Sequence, residues 1–123
     1  KKVCPSGWHL PDETEWDKLI SQQGEFRYAA AQLKERGISH WKSPNSGATN
    51  KSAFTALPGG ICFNYPTEKD FSYPGHSGCW WSSTEFTRGR PWSYEMTFEY
   101  SHVIGSNVYS KEFGLSVRCL KDQ

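Results

Sequence analysis

The sequence predicts one α+β domain over residues 1–123, with two short helices packed on a twisted antiparallel sheet. Helical spacing of apolar residues is confined to the first third of the chain, and alternation of apolar and polar residues appears only after it. The length of 123 residues suits a single core, since one domain commonly has about 100–200 residues. The 19 aromatic residues outnumber the 15 Ile, Leu, Val and Met residues, so a largely aromatic core is expected.

Two amphipathic helices are expected in the first third. Asp12 and Glu15 have the spacing of a capping box, in which each residue satisfies the backbone N–H of the other. From Trp16 onwards apolar residues recur at i, i+3 and i+4, and Gly24 is a natural C-terminal stop. A second helical pattern runs from about residue 25 to residue 36.

Strand patterns replace helical ones in the second half. Between Trp92 and Tyr100, aromatic residues and Met96 alternate with polar residues, which indicates a strand with one buried face. The expected strands are 61–63, 79–81, 92–100, 103–109 and 115–120, with a Tyr-, Pro- and Gly-rich loop over 64–78.

Charge and hydropathy exclude two partner classes. The formal net charge is +1, whereas binding to nucleic acid requires a basic face. The one local basic cluster, Arg88 and Arg90, lies in a turn-like segment and indicates a solvated turn rather than a phosphate site. The longest uncharged stretch, Ser52 to Thr67, is shorter than the ~20 apolar residues of a spanning helix and contains Pro and Gly. Neither nucleic-acid binding nor a membrane span is expected.

Four cysteines, at positions 4, 62, 79 and 119, favour two disulfides over a zinc site, because no CxxC pair occurs. Spacing alone leaves three connectivities open. We favour Cys4 with Cys119, which ties the chain ends, and Cys62 with Cys79, which closes a short loop. The compartment expected for such bridges is oxidising, either extracellular or periplasmic. No apolar segment follows the N-terminal residues, so a mature or excised piece is expected.

Six sequence blocks occur in a characteristic order over essentially the whole chain. They are Cys4–Pro11 with Glu15-Trp16, Leu33-Lys34, Trp41 with Ala48–Asn50, Phe54–Gly60, Trp80–Glu85 and Gly114–Cys119. In these blocks the chain resembles the Fibrobacter succinogenes major paralogous domain, a module of bacterial secreted and surface proteins. Cys62 and Cys79 are additional to the pattern of that family, which fits a bridge between them.

The resemblance implies a C-type-lectin-like fold in which the N- and C-terminal strands pair. It also implies that the domain is part of a longer surface protein, at the bacterial outer membrane or in the periplasm. The same superfamily includes formylglycine-generating enzymes, in which a cysteine pair binds copper.

Catalytic and metal-binding motifs are weak. Calcium-dependent lectins need converging carboxylate and amide oxygens, whereas the loop Ser43-Pro44-Asn45 lacks the carboxylate and is interpreted as a turn. A copper site would require Cys62 and Cys79 to be reduced and close, and a disulfide is favoured instead. The four histidines form neither HExxH nor any other catalytic spacing. We expect no enzyme activity, no cofactor and no metal.

Ligand binding by loop aromatics is the remaining prediction. A planar ring on a loop stacks on a sugar or anchors a protein partner. The favoured function is a non-catalytic recognition or adhesion module for glycan or protein. The alternatives are a copper-dependent thiol oxidase and a purely architectural domain. The candidate ligand-binding residues are Trp41, Tyr65, Tyr73, Phe86, Arg88, Arg90 and Trp92.

Overall fold

The computed structural model describes residues 2–64 and 69–123. Two α-helices, α1 (Glu13–Ser21) and α2 (Ala29–Leu33), are separated by a 3₁₀ turn at Phe26–Tyr28. The strands are β1 (Trp8–His9), β2 (Ile61–Asn64), β3 (Lys69–Ser72), β4 (Ser77–Thr87), β5 (Arg90–Thr97), β6 (Ile104–Ser106) and β7 (Leu120–Lys121). This order confirms the α+β prediction.

Three antiparallel sheets form in the described ranges: β1 with β7, β2 with β3, and β4 with β5 and β6. The sequence predicted one meander and a loop over residues 64–78, but β3 lies inside that span and pairs with β2. The predicted strand over 115–120 is reduced to β7 and isolated bridges, such as the one between Trp80 and Ser116. The strands therefore form three separate sheets rather than one meander.

Helix α1 forms as its sequence predicts. The Asp12 side chain accepts a hydrogen bond from the Glu15 backbone N–H at 2.8 Å, and Glu15 accepts one from the Asp12 N–H at 3.0 Å. Both halves of the capping box are therefore present. Trp16 and Ile20 are buried, and the helix packs on β4.

The second helix is shorter than the predicted span of 25–36, because Lys34 leaves the helix in an extended conformation. Its fully buried ammonium donates to the carbonyl oxygens of Thr97 at 2.9 Å and Tyr100 at 3.0 Å. It also lies 5.4 Å from the centre of the Trp41 ring. The helix ends where the Lys34 side chain turns inward to these carbonyls. Phe26, in the preceding 3₁₀ turn, is exposed.

The core is aromatic, as predicted. Four contacting rings, Trp16, Phe54, Trp80 and Tyr94, are here called the inner cluster; Trp16 and Tyr94 stack with centroids 5.0 Å apart. All except Phe54 are fully buried, and Phe54 is partly buried against them. Strand β5 is covered on both faces, because its polar Ser93 is buried as well as its aromatic side.

The chain ends are joined covalently and by strand pairing. Cys4 and Cys119 form a disulfide, and β1 pairs with β7, so the predicted pairing of the termini is confirmed. Beside them His9 lies between two carboxylates, 2.6 Å from Asp122 Oδ1 and 2.9 Å from Glu15 Oε1. Trp8, in β1, is exposed.

The predicted bridge between Cys62 and Cys79 is wrong, since both thiols are free. A chain segment separates them. The Cys62 backbone N–H donates to the Gly114 carbonyl at 2.8 Å, while the Ser116 N–H donates to the Cys79 carbonyl at 2.9 Å. Residues 114–116 therefore occupy the space that the bridge would need.

Helices of the described segments are short, and none is long and apolar enough to cross a bilayer.

Candidate functional site

The predicted binding residues fall into three groups. Trp41 is only 1% exposed, and its Nε1 donates to the Ala56 carbonyl at 3.0 Å. A ring held in this way is a core residue, so the prediction that Trp41 contacts a ligand is wrong. Tyr65 lies outside the described residues.

Four predicted residues, Phe86, Arg88, Arg90 and Trp92, lie on the hairpin formed by β4 and β5. The rings of Phe86 and Trp92 have centroids 5.7 Å apart. Both arginines are exposed, and Arg90 donates to the Val108 carbonyl at 2.7 Å. These four residues form the hairpin patch, which is an open surface.

Tyr73 belongs to a separate group of rings. Its centroid lies 6.3 Å from that of Phe63, and Phe63 in turn contacts Tyr109 at 6.5 Å and Phe113 at 5.3 Å. We call Phe63, Tyr73, Tyr109 and Phe113 the outer cluster. Apart from the buried Trp41, the predicted residues that the structure describes are therefore divided between the hairpin patch and the outer cluster.

The outer cluster borders a cavity of about 290 Å³, here called the aromatic pocket. Its walls combine three aromatic rings with a few polar groups. The lining residues are Ile61, Phe63, Tyr73, His76, Ser77, Glu95 and Tyr109.

Backbone geometry places Tyr73 at the edge of this pocket. Its φ angle of 63° lies in the left-handed region, which is uncommon for a residue with a large side chain and tends to occur at functional sites. The Tyr73 carbonyl accepts from the N–H groups of His76 and Ser77, both at 3.1 Å. A Cβ added to Gly60 would collide with the Ser72 carbonyl, so close backbone approach fixes the turn that carries the ring.

Glu95 supplies the acidic group of the aromatic pocket. It is the register partner of Cys79, and opposite residues of paired strands share one face. Burial raises the pKa of the Cys79 thiol, and the charge of Glu95 and a hydrogen bond from the thiol raise it further. Burial also raises the pKa of Tyr109, followed by the charge of Glu95. Both neighbours therefore remain neutral beside a carboxylate at physiological pH.

His76 adds a polar edge to the pocket. Its Nδ1 lies 2.7 Å from the Ser77 hydroxyl, and its Nε2 lies 3.6 Å from a Glu99 carboxylate oxygen. Aromatic faces, a carboxylate, an imidazole and a phenol thus converge on one concavity. This combination of apolar walls and a few placed polar groups is typical of ligand sites.

A second cavity, of about 270 Å³, lies beside the paired termini, and we call it the terminal cleft. Most of its polar groups have partners: Glu15 binds His9, and Arg118 donates to the Phe54 carbonyl at 2.9 Å. Trp16 Nε1 is buried without an acceptor among the described residues. The terminal cleft is lined by Pro11, Glu15, Trp16, Leu19, Phe54, Arg118, Cys119 and Leu120.

Sequence reasoning missed most of the aromatic pocket. Glu95 stood on the polar side of the alternation in β5, and Tyr109 stood at the end of a predicted strand, so neither was distinguished from an ordinary strand residue. Phe63 and Phe113 are far apart in the sequence. The one local signal was the Tyr- and Gly-rich segment around Tyr73, and Tyr73 was predicted as a ligand-binding residue.

Metal ligands do not converge in the described parts of the chain, where no three His, Cys, Asp or Glu side chains form a group that could hold an ion. Residues 114–116 also separate the two free thiols, so the pair is not arranged as the two ligands of one copper ion.

The fold and site define a small α+β domain, closed by a disulfide between its ends and carrying an aromatic pocket on one side. The chain belongs to the Fibrobacter succinogenes major domain family, whose model matches residues 1–121. It matches no curated protein and no solved structure.

Proposed function

We propose that this domain is a non-catalytic recognition or adhesion module that binds glycan or protein through the aromatic pocket. The observation that carries the proposal is Tyr73. Its ring is 50% exposed, it is held by a left-handed backbone conformation, and it borders a cavity that contains a carboxylate. A rigid, half-exposed ring is well suited to stacking, because little side-chain entropy is lost on binding.

The proposal includes the extracellular or cell-surface location of the module, as part of a longer bacterial surface protein, at the outer membrane or in the periplasm. The Cys4–Cys119 disulfide supports it, since such bridges persist in oxidising compartments. We also propose a C-type-lectin-like fold. Support comes from two short helices followed by antiparallel sheets, with both chain ends paired in β1 and β7.

A matched pair of tyrosines tests the pocket. Tyr73 and Tyr100 are exposed to 50% and 48%, but only Tyr73 lines the cavity. Labelled domain is applied to a glycan array and to bacterial and host cells, and its affinity for the best ligand is compared between Tyr73→Ala and Tyr100→Ala. Loss of a binding hot spot costs about 2 kcal/mol, or roughly 30-fold in Kd. We expect this loss for Tyr73→Ala and near-unchanged binding for Tyr100→Ala.

The hairpin patch is the competing location, and Phe86 has a matched control. Phe86 and Phe26 are both 65% exposed. Phe26 lies far from Phe86 in the sequence, in the 3₁₀ turn. Weakening by Phe86→Ala but not by Phe26→Ala or Tyr73→Ala would move the site to the hairpin. Empty arrays together with unchanged cell attachment in all four variants would favour an architectural role.

A further inference from the structure

Three aromatic rings line the aromatic pocket at steep angles to one another. Phe63 lies at 75° to Tyr73 and at 59° to Tyr109, with centroid distances of 6.3 and 6.5 Å. These rings meet edge-on or tilted rather than stacked, and the half-exposed Tyr73 leaves ring surface accessible beside the pocket. A cation within about 6 Å of several ring centroids is attracted by each ring quadrupole.

Three carboxylates lie in or beside the pocket, together with the imidazole of His76. Glu95 lines it, and no basic side chain among the described residues forms an ion pair with Glu95. Asp70 is exposed and is the register partner of Phe63, which places it on the same face of the β2–β3 hairpin. Glu99 lies beside His76. A half-buried carboxylate within aromatic walls attracts a cation and disfavours an anion.

We propose that the aromatic pocket binds an alkylammonium group, of the kind that a lysine or methyl-lysine side chain of a protein partner presents. The three rings would surround the ammonium, and Glu95 would compensate its charge. Ile61 and Phe63 give apolar contact for a methylene stem. A neutral pyranose, by contrast, brings no positive charge to compensate the Glu95 carboxylate.

This inference rests on the proposed function, because it names the chemistry of the partner at the same pocket. Calorimetry with the full chain uses three small probes: Nα-acetyl-lysine methylamide, its Nε-trimethyl form and its neutral Nε-acetyl form. We expect both charged probes to bind and the neutral probe to bind at least tenfold more weakly. Glucosamine is the fourth probe; binding of glucosamine without binding of either lysine probe would overturn the assignment to lysine.

Glu95→Gln removes the charge and keeps the shape of the side chain. We expect it to weaken the trimethyl-lysine probe by tenfold or more, while Glu25→Gln, at an exposed carboxylate outside the pocket, leaves it unchanged. Equal binding of charged and neutral probes, or unchanged affinity in Glu95→Gln, would refute the inference.

If Glu95→Gln fails to fold, Tyr73→Leu decides instead. Leucine keeps apolar bulk at this half-exposed position and removes the aromatic face, so the charged probes should lose affinity by about fivefold or more. Unchanged affinity would overturn the inference. The proposed function and the alkylammonium assignment fail separately. If cell attachment depends on Tyr73 but none of the probes binds, only the alkylammonium assignment is overturned. Probe binding with attachment unaffected by Tyr73→Ala removes the recognition role of the pocket.

Discussion

The inner and outer aromatic clusters use the same residue types in opposite ways. In the inner cluster Trp16 and Tyr94 are nearly parallel, at 22°, and the Tyr94 hydroxyl donates to Asp17 Oδ1 at 3.1 Å. In the outer cluster the contacting rings are tilted or edge-on, as most ring contacts of the inner cluster also are. The two clusters differ in burial: Trp16, Trp80 and Tyr94 are buried, whereas all four outer rings are partly exposed.

The difference follows from what covers each cluster. Helix α1 packs on β4 and closes the inner cluster. The outer cluster lies against the β2–β3 hairpin and the segment that contains Tyr109 and Phe113, and neither is helical. An aromatic-rich composition therefore does not by itself distinguish a buried core from a binding site. The element that covers the rings decides which of the two they form.

The largest expected effect is on stability in the inner cluster. Trp16→Ala should lower the free energy of unfolding by about 3–5 kcal/mol, because it removes a fully buried ring and leaves a cavity. Tyr73→Ala in the outer cluster should cost less than about 1 kcal/mol. Urea unfolding followed by circular dichroism measures both; similar losses for the two variants would contradict the comparison.

Alkaline pH should stabilise the buried half through Lys34. Burial lowers the pKa of its ammonium from 10.5 to about 8. Between these values the unfolded chain binds more protons than the folded chain, so stability rises as the pH rises. We expect wild-type stability to gain about 2 kcal/mol relative to Lys34→Met between pH 8 and 10, from 1.36 kcal/mol per pKa unit.

Lys34→Met provides the control, since its side chain at position 34 cannot titrate. Its stability should fall over the same window, because burial raises the pKa of Cys79 and the unfolded thiol ionises first. Above pH 10 the stability of both proteins should fall. Burial raises the pKa values of Tyr94 and Tyr109, so the unfolded chain loses these protons first and stability falls. Parallel profiles of the two proteins from pH 8 to 10 would contradict the assignment of the difference to Lys34.

Thiol labelling should show that Cys79, the register partner of Glu95, is inaccessible to solvent. Cys79 is fully buried, and burial raises its pKa, so the native thiol should resist alkylation. Cys62 is half-buried and should react faster. Mass spectrometry of the unreduced, unfolded protein should find two alkylated thiols and one bridge, between Cys4 and Cys119. A Cys62–Cys79 bridge in that map would contradict the separation by residues 114–116.

The smallest effect concerns His9 beside the inner cluster. Hydrogen bonds with Asp122 and then Glu15 raise its pKa above 6.5. Its contribution to stability is present below pH 6.5 and is lost as the pH rises through the higher, folded-state pKa. NMR titration of the ring should give a lower pKa in Asp122→Asn than in the wild type. An unchanged value would show that Asp122 does not act on the imidazole.

Local signals in the sequence predicted local structure well. The capping box at Asp12 and Glu15, the aromatic strand around Tyr94 and the bridge between the chain ends all formed as predicted. The capping box and the strand were predicted from residue spacing, and the bridge from the pairing of two cysteines. The α+β class followed from the change of hydrophobic period along the chain.

Predictions failed where distant segments decide the environment. Trp41 stands among polar neighbours in the sequence, yet its indole is buried because residues from elsewhere cover it and Ala56 accepts its N–H. The thiols of Cys62 and Cys79 are kept apart by residues 114–116, which no spacing rule reveals. The aromatic pocket needs β2, β5 and the segment around Tyr109 together, so only its Tyr73 was identifiable in advance.

Crystals of the domain soaked with a library of small ammonium compounds, sugars and neutral fragments give the most direct test of the central claim. We expect electron density in the aromatic pocket, against Tyr73 and Glu95, and we expect the ammonium compounds to bind there most often. Fragments confined to the terminal cleft or the hairpin patch, with the aromatic pocket empty at every soak, would contradict it.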